Sequence, residues 1–299
     1  GFEERDLNNA GLRDALGADP LVMLPGGHST HGMETQALDL SILEDQLADL
    51  ASSVTGFAIA GYFAVRNPTH ETAVRDFLTK HTNRPMTCSH ELSAKLNGPK
   101  RALTTVLNAR LVPMITRLIA STRKSLSHHA ISAPVMIVRG DGALVSADFA
   151  ARRPIETILS GPAASLVGAH YLTGNPDAIV NDIGGTTSDV AILDAGVPRI
   201  DPDGAFVGGY RTMVEAVAMH TFGLGGDSEI SLGGNSMSPA IILGPRRLVP
   251  ISLIANTNQS VIHASLDKQL KSTLHGRHDG RFAFRSGTGL EDGLSTSEA

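Results

Sequence analysis

The sequence predicts an α/β protein in which mixed sheets are flanked by helices. Short β-prone apolar runs alternate along the chain with segments of helical spacing, which is typical of layered α/β folds. The 299 residues are enough for one large domain or two ordinary ones. Hydrophobic residues make up 41% of the chain and charged residues 18%, as expected of a folded protein rather than a disordered one.

Charge and composition exclude several classes of function. The net charge of −5 and the scattered basic residues argue against nucleic-acid binding, which needs a basic stripe. No apolar run approaches the roughly 20 residues that span a bilayer, and no signal segment is seen, so no membrane association is expected. Cys88 is the only cysteine, which rules out a disulfide within the chain. We expect a cytoplasmic protein.

The first half of the chain predicts alternating strands and helices. Strands are expected at 21–24, 56–65 and 86–92, and helices at 39–53, 69–80 and 104–125. Pro113 lies inside the third helix and is expected to kink or divide it. Cys88 in the third strand is predicted to be a buried, unreactive thiol.

The second half predicts a hairpin between further strands and helices. A strand is expected at 134–138, and a helix is expected to open at Ser160, with the serine hydroxyl as its cap and Pro162 in its first turn. Strands follow at 178–183 and 188–193, an extended segment at 212–219, and strands at 240–243 and 248–254. From about residue 266 the composition predicts a loosely ordered tail.

The tip of that hairpin carries the most informative motif, an eight-residue run from Asp182 to Asp189 (DIGGTTSD). Its glycines allow close approach to a fan of backbone N–H groups, which is an arrangement that binds phosphate. Carboxylates beside a phosphate need a cation between them, and Mg²⁺ is the usual one. The chemistry predicted is a nucleotide phosphate with Mg²⁺, although an ordinary hairpin turn has the same composition. The candidate residues are Asp182, Gly184, Gly185, Thr186, Thr187 and Asp189.

A second glycine loop follows the extended segment 212–219. Gly223, Gly225 and Gly226 offer another place where backbone could approach a ligand, and the alternative is a plain connecting turn. His220 precedes this loop and is expected to be buried at the end of its strand. It is either a metal ligand or a core histidine hydrogen-bonded to backbone.

Five sequence blocks resemble one family. TTVLNARLVPMI (104–115), LSGPAASLVGA (159–169), DIGGTTSDVAIL (182–193), VGGYRTMV (207–214) and HTFGLGGDS (220–228) look like the A-type members of the hydantoinase/oxoprolinase family. The spacing of the hairpin itself resembles the phosphate loop of the wider actin/hexokinase/Hsp70 ATPase superfamily. The resemblance covers about two thirds of the chain, roughly residues 38–232.

The resemblance implies an architecture of RNase H-like, actin/hexokinase-type ATPase lobes. Residues 1–130 would then be the remainder of a first lobe with a long connecting helix, 131–265 a second lobe carrying the phosphate hairpin, and 266–299 the tail. Such ATPases use two phosphate hairpins and only one is recognised here, so the chain is expected to be an internal piece of a longer protein.

The resemblance also implies an activity, namely the ATP-dependent opening of a small cyclic amide such as a hydantoin or 5-oxoproline. ATP would phosphorylate the ring carbonyl oxygen and make it a good leaving group. Asp182 and Asp189 would hold Mg²⁺ or its waters, or orient the attacking group, and Gly184 to Thr187 would contact phosphate. The second glycine loop would lie near the sugar and base. Many family members carry an acid two residues before the histidine; Ala218 stands there, which weakens a metal role for His220.

Several alternatives share this hairpin. A carboxylase subunit related to acetone carboxylase would need an obligatory partner, and a sugar-kinase-like phosphotransferase would lack the 159–169 and 220–228 blocks. A non-catalytic module would tolerate loss of the acids, and the piece could be inactive alone. The family resemblance further implies an oligomer and a B-type partner subunit.

Overall fold

The computed structural model describes residues 2–235 and 238–271 and has the expected α/β character. Two compact units are distinguished by their internal contacts. In the described chain the first comprises residues 2–180 and 190–220, and the second comprises 181–189, 221–235 and 238–271. The division of the chain into lobes at residues 130 and 265 stays a prediction.

The N-terminal part of the first unit alternates short strands with longer helices. After a 3₁₀ segment (Glu4–Gly11), the elements are α1 (Leu12–Leu16), β1 (Gly27–His28), β2 (Glu34–Gln36), α2 (Ser41–Ser53), β3 (Phe57–Ile59), α3 (Thr69–His81), β4 (Met86–Cys88), α4 (Ser89–Leu92) and α5 (Gly98–His128). Strands β1 and β2 pair antiparallel, whereas β3 and β4 pair parallel, joined by the crossover helix α3. Helices α2 and α3 and strands β3 and β4 contribute one buried core cluster: Leu43, Ile59, Val74, Leu78 and Cys88.

The rest of the chain is richer in strands. The elements are β5 (Met136–Val138), β6 (Leu144–Ser146), α6 (Ala147–Arg152), a 3₁₀ turn (Pro154–Thr157), α7 (Ser160–Thr173), β7 (Ala178–Ile183), β8 (Ser188–Asp194), β9 (Val197–Pro198), β10 (Phe206–Val207), β11 (Tyr210–Arg211), β12 (Met219–Phe222), β13 (Ser228–Asn235), β14 (Ser238–Arg247) and α8 (Ile251–Lys271). One sheet has the order β12-β8-β7, and β9 pairs with β8. In the second unit β13 and β14 form an antiparallel hairpin.

Several predicted strands are shorter than expected, because their backbone groups bond elsewhere. The strand expected at 56–65 ends at Ile59, and the carbonyls of Gly61 and Tyr62 accept hydrogen bonds from Arg101 instead. The strand expected at 86–92 ends at Cys88. Residues 21–24 form no strand, and pairing begins only at β1.

The C-terminal part of the described chain is more helical than expected. The strand predicted at 248–254 is wrong, because α8 begins at Ile251 and runs to Lys271. The same helix occupies the first part of the tail that was expected to be loosely ordered. Ile262 of α8 is buried, so helical spacing of apolar residues there accounts for the difference. The remainder of the predicted tail, 272–299, lies outside the described residues.

Helix α5 runs for 31 residues without a break, although Pro113 lies inside it. Pro113 does not divide the helix, because one missing N–H removes one backbone bond and packing of the buried N-terminal half of α5 outweighs it. The alternative, a kink at Pro113, stays a prediction. By length and composition α5 is also the one described helix that could cross a membrane. Its most apolar 18-residue window has mean hydropathy 1.2 and is 39% buried, and core helices meet the same test. The absence of membrane association stays a prediction.

The opening of α7 differs from the expected cap. Leu159, with φ of +61°, occupies the cap position, and its side chain makes no capping hydrogen bond. Ser160 is the first residue inside the helix. The predicted capping role of Ser160 is therefore wrong. Ala163 and Leu166 are the residues of α7 that are buried.

Candidate functional site

The hairpin at residues 178–194 is present as predicted. Strands β7 and β8 are hydrogen-bonded neighbours, and Gly184 N–H donates to the Thr187 carbonyl oxygen at 2.8 Å to close the turn. Gly185 and Thr186 form the two-residue tip, and both are exposed. Neither Gly184 nor Gly185 has a positive φ, and glycine is needed at Gly185 because the Asp227 carboxylate lies close to it. The structure therefore places the predicted phosphate-binding residues on an accessible turn.

The two candidate acids flank this turn. The turn pairs Gly184 with Thr187, and the same register continued along the strands pairs Asp182 with Asp189 on one face. Directly opposed residues of an antiparallel pair have Cβ atoms about 4.5 to 5.5 Å apart. Asp182 is exposed, whereas Asp189 is half-buried and accepts a hydrogen bond from Thr221 Oγ1 at 2.7 Å. The register thus places the two acids as opposite neighbours, and carboxylates are ligands that Mg²⁺ accepts directly or through water.

The second glycine loop docks directly on the tip of the hairpin. Gly226 N–H donates to the Gly184 carbonyl at 3.0 Å, and Asp227 N–H donates to the Gly185 carbonyl at 2.8 Å. On the other side, Ser188 Oγ donates to the Leu224 carbonyl at 2.6 Å. The two glycine loops predicted separately from the sequence are therefore one assembly within the second unit.

Two glycines are required by this docking. A Cβ on Gly225 would lie 2.5 Å from the Gly185–Thr186 peptide, and a Cβ on Gly185 would lie 2.6 Å from Asp227 Oδ1. Gly184 differs, since a Cβ there would meet only the Thr187 carbonyl at 3.4 Å, and nothing lies within 4 Å of a Cβ on Gly223. Close loop packing explains Gly185 and Gly225, but it leaves Gly184 and Gly223 free for another role.

Asp227 is held in place by Arg247. The guanidinium of Arg247 forms an ion pair with the Asp227 carboxylate, with Nε at 3.1 Å from Oδ2, and Leu248 N–H donates to the Asp227 carbonyl at 2.7 Å. The structure thus gives both residues a role in bracing the loop. Sequence reasoning missed this contact because the two residues are joined only through the β13–β14 hairpin.

The backbone at the tip remains available to a ligand. Within the described part of the chain, the N–H groups of Gly185 and Thr186 donate no hydrogen bond. The N–H groups of Gly225 and Gly226 are used internally, by Ser228 Oγ and the Gly184 carbonyl. An anion could therefore be bound by the hairpin tip, with the second loop acting as its support.

His220 lies at the second position of β12 and is exposed. The expectation that it is buried is wrong, because β12 exposes most of its residues. The described residues include one convergent group of three metal-type side chains, and His220 does not belong to it. A metal role for His220 stays a prediction.

Comparison with known proteins supports the resemblance seen in the sequence. Residues 101–240 match the hydantoinase/oxoprolinase family. The chain is 29% identical over 198 residues to the alpha subunit of caprolactamase from Pseudomonas jessenii, which covers 64% of the chain and 28% of that protein. It is 27% identical over 206 residues to the beta subunit of acetone carboxylase from Xanthobacter autotrophicus, covering 66% of the chain and 28% of that protein.

A solved structure supports the fold. The crystal structure of the ATP-dependent caprolactamase from Pseudomonas jessenii matches 77% of the chain and 35% of that structure, with a TM-score of 0.64 at 24% identity. The chain thus spans less than a third of the length of the two relatives compared by sequence. Residues 101–240 therefore resemble the hydantoinase/oxoprolinase family, and the resemblance expected from the sequence blocks is confirmed.

Proposed function

We propose that the hairpin from Asp182 to Asp189 binds the phosphates of Mg²⁺-ATP, and that the whole protein is an ATP-dependent enzyme that opens a cyclic amide. The observation that carries the proposal is the exposed tip, where two N–H groups donate no internal hydrogen bond and paired acids flank the turn. The caprolactamase whose structure matches is itself described as ATP-dependent. RNase H-like ATPase lobes are part of the same proposal.

The residues present fit a magnesium nucleotide. Gly185 and Thr186 would donate backbone N–H groups to phosphate oxygens, and Gly184 would keep the approach clear of a side chain. Asp182 and Asp189 would hold Mg²⁺, directly or through water. Thr221 keeps Asp189 oriented through its 2.7 Å hydrogen bond. Thr186 and Thr187 would add hydroxyl contacts to phosphate.

The second loop would support this site more than contact the ligand. Its backbone bonds to Gly184 and Gly185 hold the tip in one conformation, which limits the reorganisation needed when charge develops during reaction. Gly223 is open to a ligand, since no atom lies within 4 Å of a Cβ there, and a Cβ on Gly226 would meet only the Gly184 carbonyl oxygen at 3.9 Å. Gly223 remains the candidate for a contact near the nucleotide sugar or base.

ATP bound with Mg²⁺ would supply the phosphoryl group that activates the unreactive carbonyl of a cyclic amide. The residues of this chain would then position the nucleotide. The backbone N–H groups would bind the phosphate, and the acids would hold the cation that neutralises its charge. We propose a cytoplasmic enzyme on the evidence of the sequence, whose single cysteine allows no disulfide within the chain. A B-type partner subunit is proposed because the names of both relatives describe subunits. We propose an oligomer for the same reason.

A carboxylase is the second candidate, because the match to the acetone carboxylase subunit is as extensive as the match to caprolactamase. A direct test uses the full-length protein with any partner encoded beside it. ADP release is measured with hydantoin, 5-oxoproline or caprolactam, and separately with a ketone and bicarbonate. We expect ADP release coupled to ring opening; release that requires bicarbonate and a ketone would assign the carboxylase instead.

A matched pair of variants links this activity to the hairpin. Asp182→Asn keeps the shape of the side chain but removes the charge needed for Mg²⁺, so ATP-dependent turnover should be lost. Asp194→Asn, at the exposed opposite end of β8, should leave turnover unchanged. Full turnover in Asp182→Asn would refute the assignment of the hairpin.

A further inference from the structure

A second polar cluster lies inside the first unit, at the junction of α3, β4 and α4. Its members are Glu71 of α3, Cys88 at the end of β4 and His90 in the first turn of α4. One donor atom from each lies within 4.8 Å of the other two. Glu71 and Cys88 are buried, and the His90 side chain is 20% exposed. The cluster plays no part in the proposed nucleotide site.

The glutamate is oriented by hydrogen bonds to both of its carboxylate oxygens. Glu71 Oε1 accepts from Gly61 N–H at 2.6 Å and from the Ser89 hydroxyl. Ser89 Oγ in turn accepts from Arg101 Nε at 3.0 Å, and Arg101 is fully buried. Ligating carboxylates in metal sites are typically held by such outer partners. The second oxygen, Oε2, accepts a hydrogen bond from His90 N–H at 3.1 Å and also faces the His90 ring.

The His90 ring and the Cys88 thiol both approach Glu71, the ring at the carboxylate and the thiol at the main chain. His90 Nδ1 lies 2.5 Å from Glu71 Oε2, and Cys88 Sγ lies 3.8 Å from the Glu71 carbonyl oxygen. A cysteine, a histidine and a carboxylate form a donor set that zinc prefers. Metal–ligand distances of about 2.0 to 2.3 Å place tetrahedral ligand atoms about 3.3 to 3.8 Å apart. The His90 ring must therefore move outward by roughly 1 Å, toward the side on which it is exposed.

We propose that Glu71, Cys88 and His90 bind one zinc ion, with water as the fourth ligand on the exposed side of His90. The metal would take the place of the proton between Glu71 Oε2 and His90 Nδ1, and the Cys88 thiol would lose its proton to solvent. Three separate elements would then share one ligand set, so zinc would stabilise the α3–β4–α4 junction.

Cobalt substitution tests the site without any variant. The protein is stripped with EDTA and titrated with Co²⁺, and the thiolate-to-cobalt charge-transfer band is recorded together with zinc stoichiometry by mass spectrometry. Because Cys88 is the only cysteine, such a band can come from Cys88 alone. We expect the band and one zinc per chain. A chain that binds no Co²⁺ through sulfur overturns the proposal.

Variants then identify the other ligands. Outer-partner changes typically weaken metal affinity about 10- to 100-fold, so Ser89→Ala should fall in that range, and His90→Ala should cost about 100-fold or more. The control is His128→Ala, an exposed histidine at the end of α5, which should bind zinc like the parent. Circular dichroism in EDTA checks that each variant folds. Zinc affinity unchanged in a folded His90→Ala variant would also overturn the proposal.

Discussion

Two glycine-to-alanine variants of the hairpin turn, Gly184→Ala and Gly185→Ala, distinguish the effect of a methyl group on ligand binding from its effect on loop packing. Gly184→Ala places a Cβ no closer than 3.4 Å to the Thr187 carbonyl, an ordinary contact, and Gly184 does not have a positive φ. Gly185→Ala places a Cβ 2.6 Å from Asp227 Oδ1, 3.1 Å from Oδ2 and 3.2 Å from Cγ. The two changes are chemically identical and differ only in what the methyl group meets.

The expected stability changes have opposite signs. Forcing a methyl group into packed surroundings costs about 1 to 3 kcal/mol. Gly185→Ala must displace the Asp227 carboxylate, which is tied to Arg247, so it should destabilise the second unit by an amount in that range. Gly184→Ala meets no such obstacle and reduces the entropy of the unfolded chain, a gain of about 0.4 to 1 kcal/mol. Its stability should be unchanged or slightly increased.

Mg²⁺-ATP affinity is measured by calorimetry for the parent and both variants, with unfolding followed by urea titration. We expect weakened binding in both variants, but lower stability only in Gly185→Ala. Gly223→Ala, which meets no atom within 4 Å, serves as the stability control. If Gly184→Ala binds Mg²⁺-ATP like the parent, phosphate does not approach the main chain at this turn and the reasoning is refuted.

Three further predictions concern the first unit. Arg101→Met removes hydrogen bonds to four oxygen acceptors around a fully buried guanidinium, so it should lower the free energy of unfolding in urea by about 3 to 5 kcal/mol. Arg123→Met removes only the exposed ion pair with Asp148 and should cost less than about 1 kcal/mol. Similar losses in the two variants would contradict the burial argument. Burial and then Glu71 raise the pKa of the Cys88 thiol to about 12, so in EDTA iodoacetamide should label Cys88 only on unfolding; rapid labelling of the folded chain would refute this. Burial and then the charge of His70 lower the pKa of His28, so below about pH 6.5 the unfolded chain binds a proton that the folded chain does not. The free energy of unfolding should therefore fall as the pH drops below that value, and its slope against pH should be shallower in His28→Gln. Equal slopes in the two proteins would contradict this prediction.

Local pattern accounts for the elements that were predicted well. The helices expected at 39–53 and 69–80 are observed at Ser41–Ser53 and Thr69–His81, because apolar spacing and nearby breakers determine both. The hairpin at 178–194 was recognisable because two β-prone runs flank a glycine turn. These features depend on residues that are close in the sequence.

Long-range contacts account for what could not be predicted. Strand β4 ends at Cys88 because helix α4 begins at Ser89. The carboxylate of Glu71, in helix α3, accepts a hydrogen bond from His90 N–H in the first turn of α4. Docking of the 223–228 loop on the hairpin depends on backbone bonds between distant segments. The Asp227–Arg247 pair spans 20 residues of a hairpin whose register the sequence does not reveal. Periodicity carries no information on such pairings.

Calorimetric titration of Mg²⁺-ATP into the chain, with Asp182→Asn and Asp194→Asn in parallel, tests the central claim most directly. The account predicts saturable, Mg²⁺-dependent binding to the parent and to Asp194→Asn, and its loss in Asp182→Asn with the fold retained. The full-length protein is titrated in the same way. Equal affinity in the parent and Asp182→Asn forms of both proteins would show that the hairpin does not bind the nucleotide.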